Sequence, residues 1–259
     1  MKKFSLIRKD DLISNNFERL LKLELEKNAF IYDEENPEIV IAIGGDGTFL
    51  RAVDRYIDQV EKVGFLAIHT GTLGFFSEYS VDEYELLVED LINKTPTTFQ
   101  KRLLEIDVYR EKVEKYYAVN EARVENIIHT QIMQVAINQQ HFETFRGTGL
   151  CVSTQLGSTA YNRSLGGAVI SNELELLQLT EITGIHHRLF RSLRVSMILG
   201  DDTKISFESS DFDQAFLGWD THTIDLKGTS KIECYLSTRC IKFLRYRPNN
   251  YLAKLTHLF

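Results

Sequence analysis

Five consecutive apolar residues, Ile39-Val40-Ile41-Ala42-Ile43, run directly into Gly44-Gly45-Asp46-Gly47-Thr48, and this junction restricts the fold more than any other part of the chain. An unbroken β-branched run reads as a parallel strand covered on both faces. Beyond the glycines Phe49, Leu50, Val53, Tyr56 and Ile57 return at helical spacing, so the loop should join a buried strand to a helix. Parallel strands need crossover connections, and a strand that feeds a helix in this way commits the region to α/β construction. Glycines in such a loop let backbone N–H groups and a helix N-terminus approach an anion closely. No Gly-Lys-Ser/Thr follows and the spacing is not GxGxxG, so phosphate would be held by backbone donors, with a metal ion or other side chains neutralising charge. Asp46 is a poor phosphate ligand. It makes better sense as a base that takes a proton from an attacking hydroxyl, or as a contact to a metal. The plainer reading is a tight Asp-Gly turn with Thr48 as helix N-cap.

The flanking sequence repeats the rhythm. Phe4 to Ile7 is a strand candidate, and Phe17, Leu20, Leu21 and Leu25 recur on one helical face. Val63 to Ile68 is a further buried strand that ends in His69-Thr70-Gly71-Thr72-Leu73-Gly74-Phe75-Phe76, and Tyr84 to Ile92 is amphipathic. At the polar stretch Asn93-Lys94-Thr95-Pro96-Thr97-Thr98 the pattern changes. Alternating segments follow: Leu104, Ile106 and Val108, then Met133, Val135 and Ile137 before the turn-like Asn138-Gln139-Gln140-His141, and later Ile232, Cys234 and Leu236. The expected organisation is an α/β N-terminal domain with a parallel sheet over residues 1–96 and a β-rich C-terminal domain over 97–244. A helical segment from Asn250 to Phe259, within 245–259, is expected to fold back on the first domain.

Composition excludes several classes. The 259 residues are 43% hydrophobic and 26% charged, with a net charge of −7, which suits a globular protein and gives no basic footprint for nucleic acid. The lysines after Met1 are followed by no long apolar core, and no stretch reaches membrane-span length, so neither a signal peptide nor membrane association is expected. Cys151, Cys234 and Cys240 lack a CxxC spacing, which speaks against a disulfide framework or a zinc site and for a cytoplasmic location. His186 and His187 are adjacent and point apart on any regular element, and His69 is explained by packing at a strand end. No resident metal site is expected.

Two further clusters bear chemistry. Asn120-Glu121 sets an amide beside a carboxylate at the end of a β-prone stretch, and such a pair can grip neighbouring ribose hydroxyls; otherwise it is an ordinary polar strand end. The run Gly157-Ser158-Thr159-Ala160-Tyr161-Asn162-Arg163-Ser164-Leu165-Gly166-Gly167-Ala168 supplies many N–H and O–H donors around one aromatic ring, a surface suited to a nucleoside. Read plainly, it is a glycine-rich loop entering a helix.

With Gly44-Gly45-Asp46-Gly47-Thr48, the segment from His69 to Phe75, Asn120-Glu121, Arg146-Gly147-Thr148-Gly149 and the run from Gly157 in this order, the chain resembles NAD kinases over nearly its whole length. The glycine loop alone is shared with lipid kinases of the diacylglycerol kinase type and with phosphofructokinases, whereas the run from Gly157 is far more specific. The resemblance implies transfer of the ATP γ-phosphoryl to the 2′-hydroxyl of the adenosine ribose of NAD, giving NADP. It implies that Asp46 is the base, that Gly44, Gly45, Gly47 and Thr48 line the phosphates, and that Asn120 and Glu121 hold the ribose hydroxyls. Thr159, Ala160, Tyr161, Asn162 and Ser164 would contact the dinucleotide, Phe75 would close the pocket, and Arg146 and Thr148 would reach it, in one arrangement from a neighbouring subunit. Mg²⁺ with ATP and assembly into homodimers or homotetramers are implied as well.

Departures from the family pattern fall at Thr148, where Asp is common, at Gln155-Leu156, where Pro and a small hydroxyl residue are common, at Ser171-Asn172, at Gly184 to Arg188, and at Arg194-Val195-Ser196. These bear on substrate grip more than on reaction type. Asp220, after Trp219 in what reads as a packed edge strand, is placed near the pocket by analogy. The alternatives are a lipid kinase, for which the hydroxyl-rich run is a poor acceptor channel, and a non-catalytic dinucleotide sensor, which would not need Asp46.

Overall fold

A computed structural model describes residues 2–188, 192–248 and 251–258, and the chain forms two compact units, residues 1–101 with 239–259 and residues 102–238. The division falls inside two long strands. The polar stretch at 93–98 is only the connection between a helix and the first of those strands.

The first unit follows the α/β pattern: β1 (Lys3–Arg8), α1 (Leu12–Lys27), β2 (Ile31–Tyr32), β3 (Ile39–Ile43), α2 (Asp46–Arg55), β4 (Gly64–His69), β5 (Tyr79–Ser80) and α3 (Tyr84–Asn93). Strands β1 to β5 pair in parallel: β2 with β1, β1 with β3, β3 with β4, and β4 with β5. All five residues of β3 are buried, because the sheet is covered on both faces. Helix α1 starts where the Asp11 carboxylate accepts the Ser14 N–H at 2.8 Å, and it buries Phe17, Leu21 and Leu25. Leu20 is a correction, since it is 52% exposed; the buried stripe recurs every four residues, and Leu20 lies about 100° off it. Helix α2 ends at Arg55, so Ile57 belongs to a short 3₁₀ turn and not to the helix.

The chain enters the second unit along β6 (Thr97–Tyr109) and continues through β7 (Val113–Ala118), β8 (Glu121–Glu125), β9 (Gln131–Ile137), β10 (Gln140–Thr154), the single turn α4 (Tyr161–Ser164), β11 (Leu176–Gly184), β12 (Met197–Gly200), β13 (Lys204–Glu208), β14 (Phe216–Trp219) and β15 (His222–Asp225). It returns along β16 (Lys231–Arg245) to α5 (Tyr251–Leu258) in the first unit, where Lys242 and Phe243 pair in parallel with Gly64 and Phe65. Asn250 and Phe259, the ends of the expected C-terminal helix, lie outside the described residues.

Pairing within the second unit is antiparallel and organised by β10. Its first half pairs with β9 across the turn at Asn138 and Gln139, both at positive φ, and its second half is flanked by β8 and β11. Trp219 is a second correction: β14 pairs with both β8 and β15, so it is not an edge strand. Met133, Val135, Phe145, Leu150, Val152, Leu177, Leu179, Ile205 and Phe207 pack into one core. In β6 the alternation has an unexpected second face, because Glu105 and Asp107 are buried as well as Leu104, Ile106 and Val108. The Lys115 ammonium donates to both carboxylates, and the Tyr235 hydroxyl lies 2.8 Å from Glu105 and 3.0 Å from Asp107, its one proton serving either. Cys151 and Cys234 are fully buried free thiols, and burial pushes both thiols up.

Phe207 is 1% exposed in the second-unit core. Phe207→Ala should therefore lower the stability of that unit by about 3–5 kcal/mol through lost burial and the cavity left behind. Leu12→Ala, at a position 75% exposed, should change stability by less than about 0.5 kcal/mol. Chemical denaturation of both variants checks the contrast, and equal losses would contradict this account of the core.

Candidate active site

The glycine loop follows the carboxyl end of β3, where open parallel sheets place their ligand sites. Gly44 donates its N–H to the Ile68 carbonyl at 2.8 Å, which ties the loop to the end of β4. Its φ of +153° suits glycine, and the Thr48 side chain occupies the space a Cβ would need. Gly44 is thus required by the fold itself. Gly45 and Gly47 differ, being exposed with open space over their Cα atoms. Thr48 is a correction to the capping expectation: Gly45 is the N-cap, without a side-chain cap bond, and Thr48 is buried inside the helix.

Asp46 is the first residue of α2, where the helix dipole favours a negative charge. Its carboxylate accepts the Phe75 N–H at 2.8 Å on one oxygen and the Phe76 N–H at 3.1 Å on the other. The close approach is possible because residue 74 is glycine; a Cβ there would collide with Asp46 and Ser77. Each carboxylate oxygen retains a further acceptor direction. Phe75 is half-buried and meets the Tyr251 ring edge to face with centroids 5.4 Å apart, while Phe76 stacks on Phe49 at 4.5 Å. The His69 ring lies 2.8 Å from the Gly71 carbonyl, consistent with a strand-end packing role.

Sequence reasoning missed Lys254 on α5. Its ammonium donates to the Phe75 carbonyl at 3.0 Å and to the Ser77 carbonyl at 2.6 Å. Burial lowers its pKa, opposed by the charges of Glu78 and Asp46. The C-terminal helix carries no motif, and only its amphipathic pattern was legible. A cavity of about 360 Å³ beside it is lined by His69, Leu73, Ser77, Glu78, Arg247 and Lys254, among others.

The second unit holds the other expected residues. Asn120 and Glu121 are 7% and 4% exposed. Their backbone is fixed by Asp220, whose carboxylate accepts the Val119 and Asn120 N–H groups, each at 2.8 Å. Asp220 has φ +44° and returns its own N–H to the Glu121 carbonyl at 3.3 Å. The side-chain atoms Asn120 Oδ1 and Glu121 Oε2 are buried without hydrogen-bond partners. Burial, with the Asp220 charge adding to it, raises the Glu121 carboxyl to about 7. Asp220 is raised to about 6 by burial, against the N–H groups it accepts.

Tyr161 opens the α4 turn and donates its hydroxyl to Glu125 at 3.0 Å, with the Arg123 guanidinium 4.4 Å from the ring centroid. Asn162 is fully buried; its Oδ1 accepts from the Thr180 hydroxyl at 2.7 Å, and its Nδ2 has no partner. Thr159 and Ala160 are half-buried and Ser164 is exposed. Arg146 and Thr148 are half-buried on β10, where the Thr148 carbonyl accepts the Asn126 N–H at 2.8 Å. Gln155 is buried with neither side-chain polar atom partnered, whereas His186 and His187 are exposed. Thus Asp46, its glycine loop and Phe75 are brought together in one unit, and Asn120, Glu121 and the residues from Thr159 to Ser164 belong to the other.

The family model for the ATP-NAD kinase N-terminal domain matches residues 18–95, and that for the ATP-NAD kinase C-terminal domain matches residues 117–244. An NAD kinase of Lactobacillus acidophilus is 37% identical over 253 residues, spanning 95% of this chain and 94% of the relative. NAD kinase 1 of Bacillus subtilis is 37% identical over 250 residues, with 95% and 94% covered. Yeast NADH kinase, solved with NADH, has a TM-score of 0.85 at 17% identity, covering 98% of this chain and 86% of that one. An Archaeoglobus fulgidus NAD kinase solved with ATP gives 0.77 at 19% identity, with 99% and 98% covered. These two share the fold, and with both family models matched in sequence the chain belongs to the NAD kinase family.

Proposed function

We propose that this chain is an ATP-dependent NAD kinase that transfers the γ-phosphoryl of Mg-ATP to the 2′-hydroxyl of the adenosine ribose of NAD, giving NADP. The observation that carries the acceptor is the pair Asn120 Oδ1 and Glu121 Oε2, adjacent buried acceptors without a donor. NAD carries two riboses, and the neighbouring hydroxyls of the one that is not phosphorylated supply two donors while the 2′-hydroxyl proton stays available to Asp46. Buried polar groups are rarely left unpaired, so a ligand that pairs both is strongly favoured over one that pairs neither.

Asp46 takes the proton of the 2′-hydroxyl as the oxygen attacks the γ-phosphorus; a P–O bond forms to the ribose and the bond to ADP breaks. Phosphoryl transfer rests on alignment and charge neutralisation. The exposed backbone at Gly45 and Gly47 and the start of α2 serve the phosphates. Mg²⁺ enters with the triphosphate and offsets its charge; such ions keep water and phosphate ligands and need only one or two carboxylates. Tyr161, set by Glu125 and Arg123, offers its ring to a base, and Thr159, Ala160, Asn162 and Ser164 border it on the same turn. We assign Arg146 and Thr148 to the rim of this dinucleotide site, and Phe75 to closing it.

We place the protein in the cytoplasm and read it as a homodimer or homotetramer, the assembly being supported by exposed Ile127, Ile128 and Val195 in the second unit. Among the described residues no helix is long and apolar enough to cross a membrane.

Purified chain with NAD, ATP and Mg²⁺ should make NADP. Asp46→Asn should lower kcat about 10²- to 10⁴-fold, the usual range for a positioned base. NADP formed equally well by that variant would remove Asp46 from the mechanism, and none from the native chain would remove the function. A second outcome concerns pH. The Glu121 carboxyl is raised to about 7 and accepts a ribose hydroxyl more strongly once ionised, so kcat/KM for NAD should rise with pH through that value. In Glu121→Gln the rise should vanish; a rise that persists unchanged would assign it to another group.

A further inference from the structure

We propose that Lys254 is a positioning residue for phosphoryl transfer: its ammonium fixes the loop whose N–H groups clamp the Asp46 carboxylate. The inference rests on the reading of Asp46 as base.

The argument is one of peptide geometry within the first unit. The Phe75 carbonyl and the Phe76 N–H belong to the same peptide group, which is planar and trans, so the two point in opposite directions. Lys254 donates to the carbonyl on one side at 3.0 Å, and Asp46 accepts the N–H on the other at 3.1 Å. A cation on the carbonyl polarises the group and makes its N–H a better donor to the carboxylate. Lys254 also donates to the Ser77 carbonyl at 2.6 Å. That carbonyl shares its peptide with the Glu78 N–H, which donates to Ala67 of β4 at 2.8 Å. A single ammonium thereby bridges a peptide that grips Asp46 and a peptide anchored in the sheet. Between β4 and β5 this loop has no regular structure of its own, and the Phe75 ring also meets the Tyr251 ring from α5.

A simpler role would be to staple α5 to the unit. An apolar side chain would serve that purpose at less cost, because burying an ammonium is unfavourable unless its charge is used. Here the burial lowers the pKa of Lys254, and the carboxylates that offset it are Glu78 and Asp46, against the like charges of Arg245 and Arg247. The cation therefore lies within the field of the base that its contacts orient.

The test compares the wild-type chain with Lys254→Met, Lys254→Arg, Asp46→Asn and the double variant Asp46→Asn with Lys254→Met. Leu252→Ala, on the same helix and 72% exposed, is the control. Lys254→Met should lower kcat 10- to 100-fold with KM for NAD and ATP changed less than threefold. Lys254→Arg should recover at least a third of the lost rate, and Leu252→Ala should match wild type. In the double variant the Lys254 change should cost less than a further twofold, because it acts through Asp46; a staple would give additive losses. A readout without turnover is amide exchange at Phe76, which should speed up at least tenfold in Lys254→Met and, if that variant does not fold, in Lys254→Gln. Unchanged kcat, additive losses or unchanged Phe76 exchange would each overturn the inference. A wild-type chain that makes no NADP would instead overturn the proposed function, so the two failures are distinguishable.

Discussion

One carboxylate holds together two loops that the sheet merely brings close. Strands β3 and β4 are neighbours in a parallel sheet, so the segments after them emerge at the same edge, but parallel pairing ends at Ile43 and Ile68, and the Gly44 bond to Ile68 ties just the first residue of the glycine loop. The Asp46 contacts to the Phe75 and Phe76 N–H groups supply that missing constraint. They explain why residue 74 is glycine, why Phe76 can stack on Phe49, and why the segment from His69 to Phe75 belongs with the glycine loop although more than twenty positions separate them. A carboxylate fixed by backbone donors is also one whose direction is set before substrate arrives, and preorganisation of this kind is what a base for a developing alkoxide needs.

The second unit uses the same device in another place. Asp220 accepts two consecutive backbone N–H groups, at Val119 and Asn120, and so sets the course of the chain into Glu121 without touching either side chain by hydrogen bond. Its positive φ is the local strain that this geometry requires, and short polar residues tolerate that region best. Asp46 and Asp220 therefore both orient backbone. They differ in surroundings: Asp46 is half-buried at a helix N-terminus, and Asp220 shares a dry site with Glu121, which raises both carboxyls.

Much of this was legible because it depends on short-range pattern. The run Ile39–Ile43 and its glycines gave a buried parallel strand and a helix start, and the alternation in β6, β9 and β16 gave antiparallel structure. Where pattern failed, the reason was a partner distant in sequence. Thr48 looked like a cap, yet Gly44 leaves a space that its side chain fills. Trp219 looked like an edge because nothing local announces β15 three residues on. Glu105 and Asp107 alternate with apolar residues and so read as solvent-facing, although Lys115 and Tyr235 cover them. Lys254 bore no signal at all: its role is defined by two carbonyls nearly 180 positions earlier.

Unpaired buried polarity marks the candidate nucleotide-binding residues of the second unit. There, Asn120 Oδ1, Glu121 Oε2, Asn162 Nδ2 and both polar atoms of Gln155 lack partners, and each such group costs about 1–3 kcal/mol. Gln155 stands where the family resemblance leads one to expect proline, which has no side-chain polar atoms to satisfy. Gln155 therefore brings two buried polar atoms without partners directly before the turn that carries Thr159 to Asn162. A ligand that supplies donors to Asn120 and Glu121 recovers part of the cost of those two, but nothing obliges the same ligand contacts to satisfy Gln155. On the proposed function, substrate affinity follows how many of these atoms the dinucleotide pairs, and the reaction type follows Asp46, which the departures from the family pattern leave untouched.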